Sequence, residues 1–411
     1  MRLLLVIPSI VSYDFLRELC RDLVADGTEV HLACAPESIW GKTHTDGQDG
    51  VKRHDIKFAR GMNPVHHLRA ARELNQLVET LRPDLVHVQF SAAIFTTALA
   101  RTRRWPKTIG TFHGVCFPAM RGWKAVLLRV METWAAERLD GVWVLTDDDR
   151  ESLQAAAPRA TVRRLPGLGL GCDLDQFAPP NELERETLRT KFGLAPDQIV
   201  FAFVGRFVDF KGFAIATGAF LRLAATNPNL RLLLVGARDE LHATGLTAAE
   251  EEQLKDCPQI VDLGFRTDVR DCLAVADVMV FPSRREGMSV CLMEALATGL
   301  PAITFDSRGC REVVRDGIDG RVLREPGVES FFKAMKSAAE DREQLHRWSA
   351  RALADRERFD RKRYVAEQKR IYQTCVGDRT SGPAATKGNK DTRCDPTLAE
   401  ERPKPTFLKC P

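Results

Sequence analysis

Residues 277–306 read DVMVFPSRREGMSVCLMEALATGLPAITFD. The runs VMVF and PAITF are short and apolar, whereas SVCLMEALAT is apolar on nearly every face and is stopped by Gly299 and Pro301. The order is strand, loop, interior helix, turn, strand. Two carboxylates stand inside this apolar unit, Glu286 and Glu294, with seven uncharged residues between them. An ionised glutamate in such surroundings costs several kcal/mol unless something satisfies it. No lysine or arginine lies one helical turn away to do so. The partner must come from elsewhere.

The same alternation extends in both directions. Toward the N-terminus, LLLVIP, EVHLACAP, DLVHVQF, TIGTFHG and GVWVLTD are strand-like runs separated by helical stretches such as DFLRELCRDLVADG. Residues 166–197 are rich in Gly and Pro and then in charge, which marks a linker leading into a helix. A second series follows with IVFAFVGR, LRLLLVGA, IVDLGF, VMVFPS and PAITFD. At 411 residues the chain is too long for one core. The expected fold class is therefore α/β, with two Rossmann-like doubly wound parallel sheets facing across a cleft. The expected boundaries are 1–178 for the first domain, 179–197 for the linker, 198–360 for the second domain and 361–375 for a C-terminal helix. Residues 376–411, polar and Pro-rich without periodicity, read as a disordered tail.

Composition narrows the function classes. Apolar residues make up 44% and charged residues 28%, as in an ordinary soluble globular protein. A net charge of +4 lacks the dense basic footprint of a nucleic-acid binder. The 11 cysteines include no CxxC pair and no zinc-type spacing, so neither a disulfide framework nor a structural metal is signalled. No apolar run reaches the ~20 residues of a spanning helix. MRLLLVIPSI, broken by Pro8, reads as a first buried strand rather than a leader. These features predict a cytoplasmic location.

A second motif, FAFVGRFVDFKGF (201–213), ends a buried strand at Gly205 and presents Arg206 and, five residues on, Lys211. Two cations flanked by glycines at a strand's carboxyl end suit a diphosphate. The helix after EGMS would add the free amides of Gly287, Met288 and Ser289. Ser289 and Glu294 are five residues apart, roughly 7.5 Å at helical rise, comparable to the reach across a pyrophosphate. A sugar at one end and a ribose at the other would satisfy both carboxylates.

Together, GRFVDFKGF and the E-x7-E of PSRREGMSVCLMEALATGLPAI resemble the retaining glycosyltransferases of family 4, with the GT-B fold, over residues 1–375. FDSRGCREVVRDGIDGRVL (305–323) is most similar to members that extend lipid-linked sugars in bacterial polysaccharide assembly. The resemblance implies an N-terminal acceptor-binding domain, a C-terminal donor-binding domain and a last helix that crosses back to the first. It implies that Arg206 and Lys211 hold the donor diphosphate, that Glu294 holds the ribose and that Glu286 holds the transferred sugar. Gly205, Gly287, Met288 and Ser289 would line the phosphate and sugar, and Phe265 would touch the base. His113 in TFHG matches the family's histidine near the reacting sugar. The implied reaction moves a hexose-type sugar from a nucleotide diphosphate, UDP ahead of GDP, to a glycan hydroxyl on a polyprenyl-diphosphate carrier, with no metal or other cofactor. PSIVSYDF departs from the family's glycine-rich first loop, with Ser9 and Ser12 where small residues are usual.

Other readings compete with this one. TDDDR (Asp147–Asp149) and CDLDQF (Asp173, Asp175) mimic an Asp-x-Asp metal site, but such single-domain transferases need no second sheet. GLGLG leads into a linker, not the helix a dinucleotide fingerprint requires. An epimerase of the same architecture, or a sugar-nucleotide binder without turnover, would use the same donor residues. Finally, VCFPAMRGWKAVLLRV (115–130) combines apolar residues three to four apart with Arg121, Lys124 and Arg129. It predicts an amphipathic helix that packs in the core or docks on the cytoplasmic membrane face.

Overall fold

The computed structural model describes residues 1–36, 49–58, 63–239 and 242–377. The first sheet contains β1 (Arg2–Ser9), β2 (Glu29–Ala35), β3 (Lys52–Asp55), β4 (Leu85–Gln89), β5 (Lys107–Phe112), β6 (Gly141–Val144) and β7 (Val162–Arg164). The second contains β8 (Ile199–Val204), β9 (Leu230–Val235), β10 (Ile260–Gly264), β11 (Val278–Phe281), β12 (Ala302–Phe305) and β13 (Gly320–Leu323). The strand orders are β3-β2-β1-β4-β5-β6-β7 and β10-β9-β8-β11-β12-β13, and every pairing is parallel. Both are doubly wound sheets of the expected α/β class.

Helices on both faces bury the sheets, so the central strands have no face open to solvent. Leu3, Leu5 and Ile7 of β1 enter one core, and Leu4 and Val6 enter the other, which is the period of two that a strand imposes. In each sheet the winding reverses beside the first strand, between β1 and β4 and between β8 and β11. At such a reversal the connections leave in opposite directions and open a crevice at the carboxyl ends.

The helix Arg361–Gly377 leaves the second sheet and packs on the first. Tyr372 and Ile371 share the core that contains Leu3 and Leu5. The Tyr372 hydroxyl lies 2.7 Å from Nδ1 of His87 on β4, and His87 Nε2 lies 2.8 Å from the Thr111 hydroxyl on β5. Lys369 reaches Asp26 at 2.5 Å. The helix takes in residues 376 and 377, the first two of the stretch read as a disordered tail, and from residue 378 onward that stretch lies outside the described residues.

The amphipathic stretch at 115–130 divides in two. Pro118 lies in a 3-10 turn, Phe117–Ala119, and the α-helix runs over Gly122–Glu137. Phe117 and Met120 therefore belong to the preceding loop instead of the helical face. The carboxylate of buried Glu132 accepts from the amides of Cys116 and Phe117 at 3.0 Å, fastening that loop to the helix. Trp123, Val126 and Val130 on the opposite face are 67%, 65% and 62% exposed.

Candidate functional site

The residues singled out in the second sheet sit at the carboxyl ends of β8 and β11, on either side of the reversal. After β8, Asp209–Lys211 forms a 3-10 turn closed by Gly212 at φ 78°. A Cβ on Gly212 would lie 2.2 Å from the Pro282 carbonyl oxygen, so only glycine lets the two loops meet. The meeting delivers Lys211 Nζ to both carboxylate oxygens of Glu286, at 2.6 and 2.7 Å. The Ser283 hydroxyl donates to the same carboxylate at 2.6 Å. Burial works against the Lys211 ammonium, but adjacent Glu286 leaves its pKa above the ordinary lysine value. Glu286 thus has a protein partner, 75 residues away in sequence, before any ligand arrives.

Glu294 differs. It lies in the second turn of the helix Val290–Ala297 and makes no side-chain hydrogen bond or ion pair among the described residues. Burial pushes its pKa up to about 7, against the opposing field of Arg361. Of the two carboxylates, Glu286 is held by Lys211 and Ser283, and Glu294 is the one without a side-chain partner among the described residues.

The helix start presents fewer amides than expected. The Ser289 amide donates to the Gly309 carbonyl at 2.9 Å, and its hydroxyl lies 3.3 Å from Cys291 Sγ. The Gly309 carbonyl takes that donor, which leaves the amides of Gly287 and Met288, with no acceptor among the described residues, for a phosphate. Met288 has its side chain buried against Gly169 of the linker. Gly205 follows β8, and Arg206 beyond it pairs with Asp239 while lying over the Phe210 ring. Phe265, just beyond β10, is 53% exposed.

The first sheet supplies His113 at the end of β5. The domains touch here: a Cβ on Gly287 would sit 2.0 Å from the His113 carbonyl oxygen. His113 Nε2 lies 2.6 Å from Oε1 of Gln89, at the end of β4, and its ring stacks on Phe90 at 4.2 Å. Burial lowers the His113 pKa to about 3, so the imidazole is neutral and Nε2 donates to Gln89. Phe90 adopts φ 72°, a costly conformation for a bulky aromatic. Neither Gln89 nor Phe90 carries a sequence signal, because only strand order places them beside His113.

A second set missed by motif reading ties the domains together. Arg308 pairs with buried Asp149 and donates to the Val115 carbonyl at 2.9 Å. Asp149 also accepts from the Val115 amide at 3.1 Å, and Arg311 holds Asp148 at 2.9 Å. Burial pushes the Asp149 carboxyl up to about 6, with Arg308 opposing. Asp148 and Asp149 of the acidic run that mimicked a metal site are thus engaged by arginines across the cleft, and Asp147 by Arg150 and Arg164 of its own domain. Asp173 instead accepts from the amides of Asp175 and Gln176 and closes a turn.

Lys211, Glu286, Gly287 and His113 therefore converge where the two sheets meet, with Arg206 to one side and Glu294 deeper along its helix. Cations and free amides suit an anionic leaving group, and two carboxylates suit polyhydroxylated groups on either side of it.

Comparison with known proteins agrees with this architecture. Residues 184–355 match the family model for glycosyl transferases group 1, and residues 14–167 match that of the glycosyl transferase 4-like domain. The chain is 26% identical over 359 residues to the putative glycosyltransferase EpsD of Bacillus subtilis, covering 84% of this chain and 89% of that one. It is 26% identical over 292 residues to the Escherichia coli UDP-Gal:alpha-D-GlcNAc-diphosphoundecaprenol alpha-1,3-galactosyltransferase, covering 69% and 74% of the two chains. Among solved structures, Anabaena HepE in complex with UDP superposes with a TM-score of 0.72 at 17% identity, covering 92% of this chain and all of that one. With one such model on each half and two facing parallel sheets between which the site is built, the chain belongs to the group 1 glycosyltransferases and has their GT-B fold.

Proposed function

We propose that this glycosyltransferase moves a hexose-type sugar from a nucleoside diphosphate, UDP ahead of GDP, to a hydroxyl of a glycan carried on a polyprenyl diphosphate. The product would retain the anomeric configuration and would serve cell-surface polysaccharide assembly. One observation carries the donor assignment. An open carboxylate, Glu294, and a paired one, Glu286, flank the free amides of Gly287 and Met288, with Lys211 between the loops. The UDP bound by HepE and the diphosphoundecaprenol substrate in the name of the Escherichia coli relative support the choice of donor and acceptor classes.

In this reading Glu294 accepts from the ribose hydroxyls and Glu286 from the transferred sugar. On donor binding, Lys211 turns from Glu286 toward the diphosphate, and Arg206 shares its charge between Asp239 and phosphate. As the bond from the sugar's anomeric carbon to phosphate oxygen breaks, the growing charge is met by Arg206, Lys211 and the two amides. The acceptor oxygen bonds to the anomeric carbon on the face the diphosphate leaves, and its proton passes to a phosphate oxygen. Neutral His113, fixed by Gln89 and Phe90, lines the sugar and carries no charge into the reaction.

The exposed face of Gly122–Glu137 supports docking to an anionic membrane, where a lipid-linked acceptor resides. Trp123, Val126 and Val130 provide apolar surface, and Arg121, Lys124 and Arg129 provide charge with no acidic residue between positions 121 and 131. No helix among the described residues is long and apolar enough to cross a membrane. The test of the reaction is a screen of UDP- and GDP-sugars against polyprenyl-diphosphate-linked acceptors, with product configuration read by NMR. Transfer is expected from a UDP-sugar with retention. A new sugar formed without acceptor, an inverted product, or donor binding without turnover would reject the reading.

A further inference from the structure

Beside the donor loop lies a cavity of about 370 Å³, walled by Pro118, Ala119 and Ser152 of the first domain and Arg284, Arg285 and Arg308 of the second. Its charges are matched with one exception. Arg284 pairs with Asp209, and Arg308 with Asp149. The acidic residues on its wall are also engaged, Asp148 by Arg311 and Glu151 by Arg150. Of the charged residues on this wall, Arg285 is the one that makes no ion pair with a described residue.

Its guanidinium is nevertheless held in place. It lies over the Phe210 ring at 4.8 Å, and Nη1 lies 3.4 Å from Met120 Sδ. The same ring carries Arg206 at 5.4 Å. Arg206 has Asp239 to offset its charge, whereas the Arg285 charge on the same ring has no carboxylate partner among the described residues. A planar fork held by stacking and left without a carboxylate is suited to phosphate oxygens.

Its position indicates whose phosphate. Arg206, Lys211 and the Gly287 and Met288 amides already face the donor side. Arg285 reaches across the cleft to Met120, one residue from Arg121 and the exposed helix face that begins at Trp123. It directly precedes Glu286, the proposed sugar contact. We propose that Arg285 is the anion-holding group of an acceptor subsite and binds the diphosphate that carries the growing glycan. The apolar chain of that carrier leaves along the Trp123 helix, and the acceptor hydroxyl faces Glu286. This assignment rests on the transfer to a lipid-linked acceptor proposed above.

Calorimetric titration of the full chain tests it, using geranyl diphosphate, geraniol and UDP as probes. Wild type is expected to bind geranyl diphosphate and UDP, and to bind geraniol more weakly than geranyl diphosphate. Arg285→Gln should weaken geranyl diphosphate on the order of tenfold or more, the scale of a charge-assisted bond, and move UDP less than twofold. Arg285→Lys keeps the charge without the fork and should fall between; it supplies the same comparison if the glutamine variant fails to fold. Equal weakening of both diphosphates would assign Arg285 to the donor and overturn the subsite. No change in either would overturn it as well. Wild type that binds UDP but not geranyl diphosphate removes the subsite and leaves the donor reading standing. Binding of neither removes both.

Discussion

Glu294→Gln tests whether an unsatisfied carboxylate is kept for a ligand. Burial raises the Glu294 pKa from 4.5 to about 7. A carboxyl whose pKa is higher in the folded state stabilises the fold relative to the ionised form below pH 4.5, and that stabilisation is lost as pH rises through 7. At ~1.4 kcal/mol per tenfold change in proton affinity, raising the pKa from 4.5 to about 7 makes the ionised group cost about 3 kcal/mol by pH 8. Glutamine has the same shape and no charge. The variant should therefore be about 3 kcal/mol more stable than wild type at pH 8, with the advantage shrinking toward zero near pH 4.5. Urea unfolding at several pH values measures this. The opposite sign is expected for the donor. If ribose hydroxyls need the carboxylate, wild-type affinity for UDP should fall about tenfold between pH 8 and pH 6, as the group takes up its proton. The variant should bind UDP more weakly at pH 8 and show a flat pH dependence. A variant no more stable at pH 8, or one that binds UDP as wild type does, would refute the reasoning.

Three further outcomes follow from the same geometry. Lys211→Ala should cost on the order of 2 kcal/mol in kcat/KM, roughly thirtyfold, because it removes a charge-assisted contact to the leaving group; turnover within twofold of wild type would reject the diphosphate role. Gln89→Glu places a carboxylate where an amide oxygen now meets His113 Nε2, so the histidine pKa should climb from about 3 toward neutrality and kcat should gain an acid limb. An unchanged pH–kcat profile would separate Gln89 from the chemistry. Replacing Trp123 and Lys124 together by glutamate should reduce sedimentation with anionic liposomes at low salt while the thermal midpoint stays put; wild type that fails to sediment would remove the docking surface.

Much of the fold is legible because the central strands are buried on both faces. β1, β4, β8 and β11 have burial on every side, and their apolar runs have no competing explanation. β3, the charged KRHD, and β7, three residues long, are the two edge strands of the first sheet. Neither stretch has a propensity for extended structure that stands out from a loop, and a neighbour's hydrogen bonds make each a strand. The helix near 122 begins later than the apolar pattern suggests, because Gly122 takes φ 65° and Pro118 sits in a tight turn. Periodicity records side-chain character and does not register such backbone breaks.

The amino-acid sequence by itself determined the class of the molecule and which residue types are proposed to face the donor, since Lys211, Glu286 and Glu294 stand at fixed distances from strand ends and helix starts. Their states were decided by tertiary structure. Glu286 is neutralised by Lys211 because Gly212 lets two loops approach, whereas Glu294 is left open in its helix. Gln89 and Phe90 join the candidate site because β4 lies next to β5, and Arg285 has no ion-pair partner among the described residues because Asp209, Asp149 and Asp148 each hold another arginine and Glu286 holds Lys211. Local sequence fixes what a side chain can do within a turn or a strand. Which charges meet, and which are left for a ligand, depends on contacts between segments far apart in the chain, and those exist only once the two sheets have packed against each other.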